Sequence, residues 1–310
     1  WEHVVEFNEK ASINDVLMTP LGGIPIGEFA HKLGVHLAET QPRTSLGRVV
    51  AATLGPTVAI NDAFNGRTRC AAPSARRCGY WHEFELGLEV ARLKEPSGTT
   101  SVAERLTFAG TLVSLDGYRT APQLTRWFHE GEISRLSLAA ERGSDTFAGQ
   151  LDAETLLAGL HHQRMSDATP RSEGVAFTGA LALAYRLRGG RALGYDDRQG
   201  LLHLPGPAVD LFAEHHGLGT ELRARAAYDF VSLSSLATPG WLSEHAAEPS
   251  FRTKTVLQRE GYFFGWGPYA QLSLKAWAGP LWLAGSWTKG RYDSSEGLDR
   301  AQESLTDDTA

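Results

Sequence analysis

The sequence predicts an all-β protein, an antiparallel transmembrane β-barrel preceded by a short helical and looped segment. From about Tyr80 onward, apolar and polar residues alternate with the period of two that is typical of β-strands. Runs such as 81–93 and 174–187 are far longer than the roughly 5–6 residues of an average strand. Aromatic residues such as Trp81, Trp277 and Trp282 lie at the predicted strand ends, where Trp and Tyr favour the lipid headgroup level. A soluble antiparallel sandwich has the same alternation and stays open as an alternative.

Residues 1–78 have a different residue pattern from the rest of the chain and are predicted to form a plug or periplasmic segment. Gly and Pro punctuate them, and short helical patches replace the strand alternation. Ser12 is predicted to start a helix, and Thr19-Pro20 and Gly22-Gly23 are predicted to break it. A second helical patch follows at 25–33.

Residues 79–310 are predicted to form the barrel strands. The clearest strands are 81–93, 174–187, 220–233, 269–277 and 281–292, and the weaker ones are 104–115, 132–142, 149–161, 205–214 and 252–264. These ranges predict about 10–12 strands in the full protein. Within 174–187 the odd positions, among them Leu183, are apolar and are predicted to face lipid. The polar stretches 189–200 and 238–250 are predicted to be long loops.

The opposite face of the predicted strands carries charges of both signs and is predicted to line the lumen. These residues are Glu83, Glu85, Glu89, Arg223, Arg225, Asp229 and Lys275. In a small barrel such charges form ion pairs that fill the interior. They can also form a solute path with separate acidic and basic walls. In a soluble sandwich they would be the solvated face.

Composition excludes some classes of function. The chain has 36 acidic and 30 basic residues, a net charge of -6, so no nucleic-acid partner is expected. Its longest uncharged apolar runs fall short of the roughly 18 residues that a membrane helix needs. The expected surroundings are outer-membrane lipid, and the oligomeric state stays open. The chain begins at Trp1 without a signal peptide, which we expect to have been removed or trimmed.

Neither the cysteines nor the histidines predict a metal site. Cys70 and Cys78 are eight positions apart and are either a disulfide, which fits an oxidising compartment, or two separate thiols. The tandem pairs His161-His162 and His215-His216 can each bring one imidazole to a site, because neighbouring strand residues point to opposite faces. A zinc site that takes one histidine from each pair is the weaker alternative, and exposed loop histidines are the simpler interpretation. We expect no metal and no cofactor.

The N-terminal segment holds the weak catalytic candidates. His3, Glu6, Asp15 and His31 can be arranged as a general base with its orienting carboxylate. The structural interpretation assigns the polar residues of this segment to helix caps and turns, and these are Asn14, Asp15, Glu28, Asn61 and Asp62. No G-x-S-x-G motif is present. The sequence therefore favours a protein that is not an enzyme and leaves catalysis open.

Two motifs of this segment resemble a known family. Residues 12–28 carry S-I-N-D-x-x-x-T-P-x-G-G-x-x-x-G-E, and residues 55–67 begin with G-P-T-V-A-I-N-D. Residues 1 to about 70 resemble an uncharacterised bacterial envelope family, described only as a domain of unknown function. The resemblance implies a β-barrel in the outer membrane of a Gram-negative bacterium, with the motif segment beside or inside it. It implies no activity, and it suggests that the chain is an excerpt trimmed at both ends.

Three functions are consistent with these expectations. The first is an outer-membrane barrel that passes or binds a small solute or lipid, with the N-terminal segment as a plug. The second is a barrel enzyme that acts on envelope lipid. The third is a soluble lipid-binding β protein.

Overall fold

The alternating residues from Trp81 onward form one antiparallel sheet, and helix α1 (Thr19–Glu39) packs against it. The computed structural model describes residues 18–39, 81–94, 100–143, 147–166, 173–192, 195–235, 262–295 and 308–309, with single positions 49, 52, 53, 55, 56, 58, 60, 64 and 240. The predicted all-β, antiparallel fold class is confirmed. Within these described residues, no helix combines the length and the apolar character that crossing a membrane requires.

The sheet contains twelve strands in the described part of the chain. They are β1 Trp81–Lys94, β2 Thr100–Val113, β3 Gln123–Phe128, β4 Ile133–Arg142, β5 Phe147–Met165, β6 Gly174–Ala192, β7 Tyr195–His215, β8 Leu218–Ser235, β9 Tyr262–Ala278, β10 Leu281–Gly290, β11 Tyr292–Ser294 and β12 Asp308–Thr309.

The strands follow one another as a meander that curls strongly into half a barrel. Their order is β1-β2-β4-β5-β6-β7-β8-β9-β11-β12, with β3 paired to β5 and β10 to β9. Glu85 of β1 and Lys275 of β9 form an ion pair. Seven strand spacings separate β1 from β9, which is about 34 Å along a flat sheet. Only a curled sheet can bring these two side chains together.

Strand register divides the sheet into two chemically different faces. The apolar face carries Phe84, Leu86, Leu88, Leu106, Phe177, Leu181, Leu183, Leu211, Leu272 and Leu274. The charged face carries the alternate positions, among them Glu83, Glu85, Arg135, Glu154, Asp210, Glu221, Arg223, Arg225 and Lys275. The ion pair between Glu85 and Lys275 lies on the charged face, so the charged face is the concave one.

Helix α1 lies on the apolar face. Met18, just before the helix, packs with Leu183, Leu202 and Phe230. Leu183, predicted to face lipid, does lie on the apolar face, but this contact leaves it only 2% exposed. Helix α1 therefore covers part of the convex side of the sheet, and a plug role for the other residues of the segment 1–78 stays a prediction.

The predicted helix break at Gly22-Gly23 is wrong, because α1 runs through these residues without interruption. Helix α1 begins at Thr19, and the predicted helix start at Ser12 lies outside the described residues. Pro20 lies in the first turn, where its missing N–H has no intrahelical partner to lose. Gly22 lets the helix approach β6 closely, since a Cβ there would come within 2.9 Å of the Tyr185 ring. Tertiary packing thus outweighs the local breaking tendency.

The sheet also corrects two predicted connections. The polar stretch 189–200 is not a long loop, because β6 continues to Ala192 and β7 begins at Tyr195. Strand β3 was not predicted, since six residues are too few for a clear alternation. The predicted loop 238–250, apart from position 240, and the first part of the predicted strand 252–264 lie outside the described residues.

Candidate functional site: the charged face

All seven charges that the sequence predicts to line a lumen lie on the charged face. Strand register places them there: Glu83, Glu85 and Glu89 on β1, Arg223, Arg225 and Asp229 on β8, and Lys275 on β9. Their common face follows from the period-two geometry of strands. Whether that face encloses the lumen of a membrane barrel stays a prediction.

The centre of the charged face is an ion-pair network around Glu154 of β5. Its Oε1 accepts a hydrogen bond from Arg135 Nη1 at 2.5 Å, and its Oε2 accepts one from Arg225 Nη1 at 2.7 Å. Arg135 also pairs with Asp210 of β7. These contacts join β4, β5, β7 and β8 across the concave side. Each charge is mostly buried, so each needs the opposite charge beside it.

A second cluster gathers around Arg119, in the connection between β2 and β3. Its guanidinium lies 3.6 Å from a Glu221 carboxylate oxygen and 3.9 Å from one of Glu83. The same guanidinium carbon lies 4.0 Å from the centre of the Phe212 ring and 5.1 Å from that of Trp81. Two carboxylates and two aromatic rings therefore hold this cation at one end of the charged face.

Buried polar groups fix the backbone that carries Arg119. Arg119 has a left-handed φ of 50°, and its backbone N–H donates to Gln163 Oε1 at 2.8 Å. The Gln163 amide donates to the carbonyls of Gly117 and Ala121 at 2.9 and 2.7 Å. His161 is fully buried beside Gln163 and contacts Thr178 Oγ1 at 2.8 Å. The interpretation of the tandem histidines as exposed loop residues is therefore wrong for His161.

Asp229, His203 and Tyr292 form a third group on the charged face. His203 Nδ1 lies 2.8 Å from Asp229 Oδ1, and Tyr292 Oη donates to Asp229 Oδ2 at 3.0 Å. Asp229 and His203 are almost completely buried. A carboxylate bound to Nδ1 fixes the orientation of the imidazole and leaves Nε2 for another partner. Within the described residues, Nε2 has no hydrogen-bond partner.

His203 lines a cavity of about 270 Å³ together with the central network. Arg135 Nε and Arg225 Nε are buried and have no hydrogen-bond partner among the described residues. Four arginines and three carboxylates line this cavity: Arg135, Arg186, Arg223, Arg225, Asp152, Glu154 and Asp210. Chemically, the cavity can hold a small polar molecule that accepts hydrogen bonds from guanidinium groups.

The described N-terminal candidates lie away from the charged face. Lys32 pairs with Glu28 and donates to Gly131 O at 2.6 Å and Ser134 Oγ at 3.1 Å, all against the apolar face. Burial lowers the pKa of Lys32, and the neighbouring Glu28 opposes this shift. His31 is exposed on α1. Glu28 is thus the partner of a buried lysine, a structural role.

The other predicted site residues lie outside the described residues. These are His3, Glu6, Asn14, Asp15, Asn61, Asp62, Cys70 and Cys78. Their roles, including a disulfide between the two cysteines, stay predictions.

Sequence reasoning missed the centre of the network, which is Arg135, Glu154 and Asp210. All three lie in strands with weak alternation, where small and polar residues occupy both faces. Strand pairing places Arg135 and Asp210 on the same face as the predicted charges. The sequence contains no usable signal for this, because the register of the strands is not visible in it.

Comparison with known proteins gives one match. A family model described as Domain of unknown function (DUF3943) matches residues 1–57, which include α1. No curated protein and no solved structure matches the chain. The chain is thus similar, over its first 57 residues, to an uncharacterised family described only as a domain of unknown function.

Proposed function

We propose that this protein is an outer-membrane β-barrel that binds and passes a small polar solute along its charged face. The observation that carries this proposal is the division of one curled sheet into a concave charged face and a convex apolar face. A barrel that crosses a bilayer needs this division, because lipid surrounds its outside and polar groups line its inside.

The exposure of the apolar face supports the membrane location. Leu86 and Leu88 are each 77% exposed, and Leu181 is 50% exposed. Further exposed apolar side chains extend this surface over β2, β7, β9 and β10. Soluble monomers rarely expose apolar patches larger than a few hundred Å². Lipid is the partner that fits the apolar surface that α1 leaves exposed on strands of this length.

The cavities on the charged face support a solute path. Beside the 270 Å³ cavity lies a second one of about 690 Å³. Glu83, Glu85, Glu89 and Arg105 of β1 and β2 line one side of it, and Glu221, Arg223 and Lys275 of β8 and β9 line another. Each side carries charges of both signs, which offer hydrogen-bond donors and acceptors to a polar solute.

Single-channel conductance of the full chain in planar bilayers tests the solute path. We expect a small conductance, and we expect Arg225→Gln to shift ion selectivity toward cations because it removes one positive wall charge. Arg198→Gln is the matched control, since Arg198 is exposed on the opposite face of β7. Absence of conductance, or an equal shift in both variants, would overturn passage through the charged face.

Substitution of Leu181 tests the membrane location. Leu181 lies near the middle of β6 on the apolar face, so Leu181→Arg should destabilise the inserted protein by about 2–4 kcal/mol. Leu181→Ala is the control and keeps the position apolar. Urea titration in lipid vesicles, followed by Trp fluorescence, measures the free energy of unfolding of both variants. Solubility of the wild-type protein in plain buffer, with no change in gel mobility on heating, would contradict the proposal.

A further inference from the structure

The turn between β7 and β8 has an unusual residue at a demanding position. The strands pair up to His215 and Leu218, which leaves His216 and Gly217 as a two-residue turn. Both have a left-handed backbone, with φ of 50° and 76°. This is the pattern of a type I′ hairpin turn, where Asn-Gly is the preferred dipeptide. The geometry of the turn therefore tolerates His216 but does not require it.

The turn brings the two neighbouring imidazoles together. The ring centres of His215 and His216 are 4.0 Å apart. The expectation that a tandem pair offers only one imidazole to a site is thus wrong here. Strand alternation ends at His215, and the left-handed backbone of His216 turns its side chain back toward its neighbour.

Glu173 supplies a carboxylate beside this pair. Gly174 pairs with Glu214 at the start of β6, and one further step of this register places Glu173 opposite His215. The His215 Nδ1 atom lies 3.9 Å from Glu173 Oε2. One ligand atom from each of Glu173, His215 and His216 lies within 4.8 Å of the other two.

We propose that Glu173, His215 and His216 bind a divalent transition metal ion of the zinc class. Zinc binds imidazole nitrogen and carboxylate oxygen at about 2.0–2.2 Å, so its ligand atoms lie roughly 3.4 Å apart in a tetrahedral site. The His215 side chain is 81% exposed and can rotate to close the remaining gap, while that of Glu173 is 14% exposed and held in place. Water completes the coordination.

The ligand set discriminates between metal ions. Two imidazoles and one carboxylate suit Zn²⁺, Cu²⁺ and Ni²⁺, whereas Ca²⁺ and Mg²⁺ need a shell of oxygen ligands. The bound ion joins the residue before β6 to the turn after β7, at one end of the sheet. Binding should therefore raise the thermal stability of the folded protein as the Zn²⁺ concentration rises.

Zinc titration of the full chain, refolded in detergent and stripped of metal, tests the proposal by isothermal calorimetry. We expect His216→Asn and Glu173→Gln each to weaken one equivalent of Zn²⁺ binding at least tenfold. Asn is the preferred residue at a left-handed turn position, so His216→Asn should fold like the wild type. The heat-dependent gel mobility of each variant checks its folding.

His129→Asn is the matched control. Its imidazole is also exposed and lies 4.0 Å from a carboxylate oxygen, that of Glu130, but no second histidine among the described residues joins it in a three-ligand group. This variant should bind Zn²⁺ like the wild type. Wild-type stoichiometry and affinity in His216→Asn would overturn the proposal, as would an equal loss of binding in His129→Asn.

Discussion

At the scale of single residues, Glu154 has the most consequential position on the charged face. One carboxylate neutralises two guanidinium groups that come from strands on either side of it, Arg135 and Arg225. Arg135 has Asp210 as a second acidic partner, whereas the other hydrogen bond of Arg225 goes to the neutral amide of Gln271. Loss of the Glu154 charge would therefore leave Arg225 without an anionic partner among the residues that the structure describes.

Glu154→Gln should destabilise the folded protein by about 3 kcal/mol, because removal of one partner leaves a buried charge uncompensated. Urea titration followed by Trp fluorescence measures this change. Glu89→Gln is the control: Glu89 is exposed on the same face, and its substitution should change the free energy of unfolding by about 0.5 kcal/mol or less. Equal changes in the free energy of unfolding for the two variants would mean that Glu154 does not compensate a buried charge.

The residue scale also marks what the sequence could predict. The common face of Glu83, Arg223 and Lys275 follows from alternation within each strand, which is a local property. Their ion-pair partners do not follow from alternation. Lys275 of β9 contacts Glu85 of β1 only because the sheet curls across the seven strand spacings between these two strands. The burial of Leu183 was likewise not predictable, since its cover comes from Met18, which is far away in the sequence.

At the scale of elements, the glycines of α1 differ in how closely the rest of the protein approaches them. A Cβ on Gly34 would come within 2.6 Å of the Gly55 Cα atom, while a Cβ on Gly23 would meet nothing within 4 Å. The sequence predicts a break at Gly22-Gly23 because glycine weakens isolated helices. The sequence alone does not show the tertiary contacts that decide at which of these positions a glycine is required.

Gly34→Ala and Gly23→Ala should therefore change stability in opposite directions. Gly34→Ala forces the backbone of α1 away from Gly55 and should lower the free energy of unfolding by about 1–3 kcal/mol. The second should stabilise by roughly 0.5–1 kcal/mol, since Ala is the better helix former and the position is exposed. Denaturant titration of the two variants beside the wild type measures both signs. Two changes of the same sign would contradict the close approach of Gly34 and Gly55.

The docking of α1 should depend on pH through His36. This imidazole is buried with its ring centre 4.4 Å from that of His82, and burial, followed by repulsion from His82, lowers the pKa of His36. The undocked helix, with a His pKa of about 6.5, binds the proton more readily than the docked one. Docking should thus be complete above about pH 6.5 and weaken as the pH falls below it.

Hydrogen exchange of the α1 backbone amides at pH 7.5 and pH 5.5 measures this effect. We expect faster exchange at the lower pH, after correction for intrinsic rates, and we expect His36→Leu to reduce the difference. His31→Gln is the control, because His31 is exposed on the same helix and should leave the pH dependence intact. An unchanged pH dependence in His36→Leu would assign the effect to another group.

At the scale of the whole molecule, curvature turns a meander of strands into a concave site. Strand order and register fix which residues share a face, but only the curl brings β1 opposite β9. On a flat sheet the charged face would be a solvated plane about 34 Å wide between these strands. The curl encloses the cavities beside Arg225 and Glu85 and gives the apolar face its convex shape.

This curvature predicts a cross-link between strands that are distant in the sheet. Glu85→Cys and Lys275→Cys in one chain, with Cys70 and Cys78 replaced by Ser, should be joined efficiently by a short bifunctional maleimide.

Leu86→Cys with Leu274→Cys is the matched control, because these neighbouring positions lie on the same two strands but on the convex face. On a curled sheet their side chains point away from each other, so no cross-link should form. Electrophoresis after limited proteolysis between the strands distinguishes the joined from the separate fragments. Cross-linking of neither pair would indicate a flatter sheet, in which the charged face could not enclose a solute.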